Sequence, residues 1–111
     1  MSDPAPTSIV SVYAVFGSEE EAQRIGRAMV EERHAACVNI LGPCHSIYRW
    51  QGRVEEAGEA AAIFKTTAGQ APLLMKAICE RHSYDVPAVT VWPIAETPEP
   101  YRAWVIANSG R

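Results

Sequence analysis

Two apolar, β-rich segments flanking Gln51-Gly52 constrain this chain more than any other feature. A two-residue link of that kind closes a hairpin, because glycine accepts the positive φ that a tight turn demands. The incoming strand reads as Ala36 to Leu41 and His45 to Trp50, interrupted at Gly42-Pro43 by a bend or bulge. The returning strand runs from about Arg53 to Thr66. Counting back from the turn predicts Tyr48 opposite Glu55 and Arg49 opposite Val54. On the returning strand Ala60, Ala62 and Phe64 alternate with Ala61 and Ile63, so both of its faces are apolar. Val89 and Val91 alternate with Trp92 and Ile94 in the same way. An antiparallel sheet with one face in water should alternate apolar with polar. A bare apolar face on a long hairpin therefore predicts association with further copies.

The flanking segments supply the other elements. Ile9 to Phe16 is a first strand. Ser18 followed by Glu21 makes a capping box, which opens a helix with Ala22, Ile25, Met29 and Val30 on one face. A second helix fits from about Gln70 to Arg81, with Pro72 in its first turn and Leu74, Ala77 and Ile78 buried. Ala88 to Ala95 reads as a fourth strand, where Pro93 suggests a free edge or a late bulge. Thr97-Pro98 reads as a cap followed by a proline at the first helical position, with Tyr101, Trp104, Val105 and Asn108 on one side of a short last helix. The order β-α-β-β-α-β plus a C-terminal helix predicts an α+β, ferredoxin-like sandwich with an extended β2-β3 hairpin and helices on one sheet face. Residues 1–7, with two prolines, read as a flexible tail, and residues 8–111 as a single domain.

Charge and composition narrow the function. The formal net charge of −3 and the lack of a basic run argue against a nucleic-acid binder. No apolar stretch is long enough to cross a bilayer, and Met1-Ser2-Asp3-Pro4 lacks the basic-then-apolar order of a signal peptide, which predicts the cytoplasm and no membrane partner. Three cysteines without a CxxC read as free thiols rather than a disulfide framework or zinc knuckle.

Several stretches are more specific. Ala35 to Ile40, Ser46-Ile47-Tyr48-Arg49-Trp50-Gln51-Gly52 with Val54-Glu55, and Glu59 resemble signature positions of the divalent-cation-tolerance (CutA) family. So do Phe64-Lys65-Thr66-Thr67, His82-Ser83-Tyr84-Asp85-Val86-Pro87, and Tyr101 with Trp104, in order from about Ile9 to Ala107. The resemblance implies a homotrimer of ferredoxin-like subunits whose hairpins pair across subunit boundaries. It also implies a link to tolerance of copper and other divalent cations, a likeness in architecture to the PII signalling proteins, and no established reaction. Fold leaves function open, so the sites are weighed separately.

The resemblance also implies a copper site proposed for some relatives, which combines a cysteine near the end of the first strand with paired histidines before the tyrosine of a Tyr-x-x-Pro stretch. Here His82 matches one histidine, Arg81 stands at the other, and the strand ends Ala14-Val15-Phe16. His82 is thus the candidate ligand for a divalent cation such as copper, though one imidazole alone cannot hold a metal tightly. His34 and His45 read as structural. The second candidate is a ligand cleft of Trp50, Glu59, Lys65, His82, Tyr84 and Trp104, positions that in the family look onto a gap between subunits. A lysine, a carboxylate, a phenol and an imidazole beside tryptophans suit a small anionic ligand, as in a PII-like sensor. Alternatively, Lys65 and a carboxylate form an interface ion pair. An enzyme is not expected. Acylphosphatases share this element order, but Phe16-Gly17-Ser18-Glu19 offers no arginine to a phosphate, and no nucleophile-base pair stands out.

Overall fold

A computed structural model describes residues 5–110; residues 1–4 of the expected tail and Arg111 lie outside the described residues. The elements are β1 (Ile9–Phe16), α1 (Glu19–Glu31), β2 (Cys37–Trp50), β3 (Arg53–Thr67), α2 (Ala71–Arg81), β4 (Val89–Pro93) and α3 (Glu99–Ala107). The four strands form one antiparallel sheet in the order β2-β3-β1-β4. This is the ferredoxin-like arrangement that the element order predicts.

The hairpin follows local chemistry. Gln51 (φ 50°) and Gly52 (φ 81°) both take left-handed backbone, which matches a tight turn to the twist of its strands. Tyr48 faces Glu55 and Arg49 faces Val54, as counted from the turn. The register slips once, between Ile40 and Pro43, where Gly42 adopts φ 82°: a bulge within one continuous strand. β1 pairs β3 only from Ala60 to Thr67, so residues 53–59 and their β2 partners extend past the sheet as a two-stranded arm.

α1 and α2 cover one face. Val10, Val12, Ala14 and Phe16 of β1 join Ala60, Ala62 and Phe64 of β3 against Ala22, Ile25, Met29, Leu74 and Ile78. α3 packs elsewhere. Its Val105 closes on Ile9 and Ala36, with Ile94 alongside, and so covers only a corner of the opposite face. The rest of that face carries Tyr13 stacked on Trp92, with ring centroids 4.9 Å apart.

The boundaries of β4 and α3 differ from the sequence reading. β4 spans five residues rather than Ala88 to Ala95, because its register with β1 runs only from Val89 to Pro93 and Ile94 turns off to meet Val105. α3 starts one residue late, with Pro98 at the cap position in extended backbone (ψ 138°) and no side-chain cap from Thr97. Ahead of β1, the carbonyls of Pro6 and Ser8 accept from the N–H groups of Gly69 and Ala68 at 3.0 and 2.7 Å.

Candidate functional site

The segment after α2 organises the site. His82 ends that helix in extended backbone, and its ring lies on Phe16 with centroids 5.1 Å apart. Nε2 is 2.7 Å from the carbonyl oxygen of Val15, and Nδ1 is 3.0 Å from the backbone nitrogen of Tyr84. A carbonyl can only accept and an N–H can only donate, so Nε2 carries the proton and Nδ1 is bare. The imidazole therefore staples the loop to the end of β1. Tyr84 then reaches β3, where its hydroxyl donates to Glu59 Oε2 at 2.7 Å. Partial burial, then the hydrogen bond to Glu59 and its charge, push the Tyr84 phenol up to about 12. At neutral pH it stays a proton donor.

Around this pair lies a cleft of about 580 Å³ on the helix-free side of the arm, lined by Tyr48, Trp50, Glu59, Tyr84, Asp85 and Val86 among others. Tyr48 and Trp50 belong to β2, opposite Glu55 and Arg53, on the face that also carries Glu59. Among the described residues, no lysine, arginine or histidine lines the cleft.

The other two candidates lie at the far end of the sheet. Lys65 shares the face of Glu59 by strand parity, but six residues separate them, roughly 20 Å along a strand. Lys65 is level with Cys37 on one side and Ser11 on the other, and is half-buried. Among the described residues it enters no ion pair. Cys37 Sγ lies 3.6 Å from the Tyr101 hydroxyl, whose ring stacks on Trp104 at 5.9 Å. Trp50, Glu59, Tyr84 and His82 thus gather in one place, whereas Lys65 and Trp104 sit toward α3. A Lys65–Glu59 pair within one chain is not formed.

Metal chemistry fits poorly within one chain. Both nitrogens of His82 are engaged, so ligation would break one of its two hydrogen bonds. The neighbouring Arg81 is held at 2.8 Å by Glu32. His34 and His45 also have polar neighbours, Glu32 at 3.6 Å and Glu56 at 2.6 Å. No group of three or more His, Cys, Asp or Glu side chains placed to hold an ion occurs among the described residues.

One residue had a larger part than the sequence suggested. Ser18 Oγ accepts from the Glu21 N–H at 3.1 Å, which is half of the expected capping box. The Glu21 carboxylate, however, accepts from the N–H of Gly17 at 3.0 Å and from that of Ser83 at 2.8 Å. Only the first of these is readable from local spacing; the second joins residues 62 apart.

Fold and site together define a class: a ferredoxin-like sandwich with an overlong hairpin, an open apolar sheet face, and a tyrosine-glutamate cleft on the arm. Within that class, the chain belongs to the CutA1 divalent ion tolerance protein family, whose model matches residues 10–108. The divalent-cation tolerance protein CutA of Thermus thermophilus is 46% identical over 99 residues, 89% of this chain and 96% of that protein. Mouse protein CutA is 35% identical over 95% of this chain, which spans 63% of that longer protein. The solved structure of the Thermus thermophilus protein superimposes with a TM-score of 0.89 at 43% identity, covering 92% of this chain and 99% of the other. CutA1 from Oryza sativa gives 0.90 at 30% identity over 95% and 98%. These relatives lend no support to the PII-like alternative.

Proposed function

We propose that this chain serves divalent-cation tolerance by binding rather than by catalysis, as a cytoplasmic homotrimer whose copies complete one another's cleft. The observation that carries this reading is the division of the candidate residues on one sheet face. Trp50 and Glu59 lie on the arm, with Tyr84 reaching Glu59 from the segment after α2, and Lys65 and Trp104 lie toward α3. A cyclic assembly that lays one copy's arm across the next copy's open face would bring those two ends together. It would cover Tyr48, Trp50 and Trp92, all of which are exposed in the single chain. It would also deliver a lysine to a cleft whose own charged residues, Glu59 and Asp85, are acidic. Tryptophans, a lysine and a hydrogen-bonded carboxylate-phenol pair would then face a small anionic ligand. The family's association with divalent cations supports a metal-linked response. Copper would meet His82 with both nitrogens already occupied, so weak binding is expected.

Light scattering on tag-free protein at micromolar concentration should report three chains per particle. A stable, soluble monomer would overturn the shared cleft. Equilibrium dialysis against Cu(II) should show weak uptake; tight stoichiometric uptake abolished by His82→Ala would establish a metal site there.

A further inference from the structure

From its two hydrogen bonds, we infer that Glu21 is a positioning residue for the cleft: its carboxylate ties the 82–85 loop to the start of α1 and thereby sets where the Tyr84 hydroxyl meets Glu59. The inference rests on contacts within one chain and stands whether or not the copies share a cleft.

Glu21 is only 7% exposed, and each of its oxygens accepts a different backbone N–H. Oε1 binds Gly17, in the turn between β1 and α1, and Oε2 binds Ser83, one residue before Tyr84. The loop is thus held twice, by His82 on the Val15 carbonyl and by the Ser83 N–H on Glu21. A helix cap alone would need only the Gly17 side. The turn is also shaped for the ring, since a Cβ on Gly17 would lie 3.2 Å from the Tyr84 hydroxyl oxygen, closer than packing normally allows. The carboxylate holds the residue before Tyr84, and the absent side chain at Gly17 lets the Tyr84 ring lie against the turn with its hydroxyl on Glu59.

Charge state agrees with this geometry. Burial acts to raise the Glu21 pKa, but hydrogen bonds from Ser83 and Gly17 outweigh it and hold the carboxyl below its ordinary value of 4.5. A group with a depressed folded pKa lends its full stabilisation above its unfolded value and loses it as pH falls through the folded one. The tether is therefore intact at neutral pH and weakens only in acid below about 4.5.

NMR with ring-labelled tyrosine tests this directly, with the Tyr84 signal assigned by Tyr84→Phe. Glu59→Gln should shift that signal by exchanging a charged acceptor for a neutral one. Glu21→Gln places an amide where two N–H donors need acceptors, so it should also displace the Tyr84 signal while leaving those of Tyr13 and Tyr101, which lie outside the cleft, in place. Protection of the Ser83 amide against hydrogen exchange should fall at least tenfold. Ser18→Ala is the control, because it removes the other cap bond without touching Ser83; it should lower the melting temperature and leave Tyr84 unmoved. If Glu21→Gln behaves like Ser18→Ala, Glu21 is a helix cap only and the inference fails. Should Glu21→Gln not fold, Glu21→Asp keeps the charge at Gly17 but shortens the reach to Ser83. The same Tyr84 shift is then expected, and an unshifted signal would overturn the proposal.

Discussion

On β3, Ala60, Ala62 and Phe64 are sealed beneath α1 and α2, whereas Ile63 and Lys65, one residue out of phase, stay half open on the other face. Both belong to the same strand, and the second face is apolar too at Ala61 and Ile63 before it reaches the lysine. Only one receives helices: α1 and α2 pack on the first face, and α3 reaches just the corner at Ile9 of the second. The arm sharpens the contrast, since beyond Ala60 even the neighbouring strand is missing and Tyr48, Trp50 and Val54 stand exposed. A strand buried on one side can be explained by its own chain. The composition of the other side makes physical sense only if something further covers it.

Substitutions on the two faces should therefore fail differently. Phe64 is fully buried, so Phe64→Ala should cost about 3–5 kcal/mol by removing a ring that the surrounding core cannot fully replace. Denaturant unfolding should show that loss at every protein concentration. Ile63→Asp, one residue away, should cost the single fold less, about 1–2 kcal/mol. Its main effect should be on assembly, because it places a charge in a surface that association would desolvate. Light scattering should show smaller particles while circular dichroism keeps its folded signature. If Ile63→Asp leaves the particle mass unchanged, the open face is not where copies meet.

What could be read from the sequence divides along a physical line. The hairpin turn, its register and the bulge at Gly42-Pro43 were legible because glycine and proline act on their own backbone. The core faces of α1 and α2 were legible from periodicity. The end of β4 was not, since it depends on where β1 stops pairing and on Ile94 finding Val105. The contact of Tyr84 with Glu59 joins residues 25 apart, and no spacing rule foretells it; the residues were singled out only through family resemblance. Grouping Lys65 with Glu59 shows a different limit. Parity assigns both to one face, but it says nothing about distance along that face, and strand rise alone separates them by roughly 20 Å.

Lys65 provides the smallest expected effect and the finest test of the comparison. It lies on the open face, half-buried, level with Cys37 and Ser11, and has no carboxylate partner among the described residues. Lys65→Met retains the aliphatic stem and removes the charge. If the lysine serves a ligand in a shared cleft, no ion pair is broken, and the melting curve should change by less than about 1 kcal/mol. Assembly should persist, and only stabilisation by added small anions should disappear. The opposing case is a pair between copies, with Lys65 of one chain against Glu59 of another. Breaking a buried pair from one side leaves an uncompensated charge and costs about 3–5 kcal/mol, a large drop in melting temperature without any ligand. Glu59→Gln in the same protein would then restore much of the loss by removing the stranded charge. Melting curves of the two single variants and the double variant decide between these cases. A strong loss in Lys65→Met rescued by Glu59→Gln would make both residues part of the interface and remove them from the ligand site.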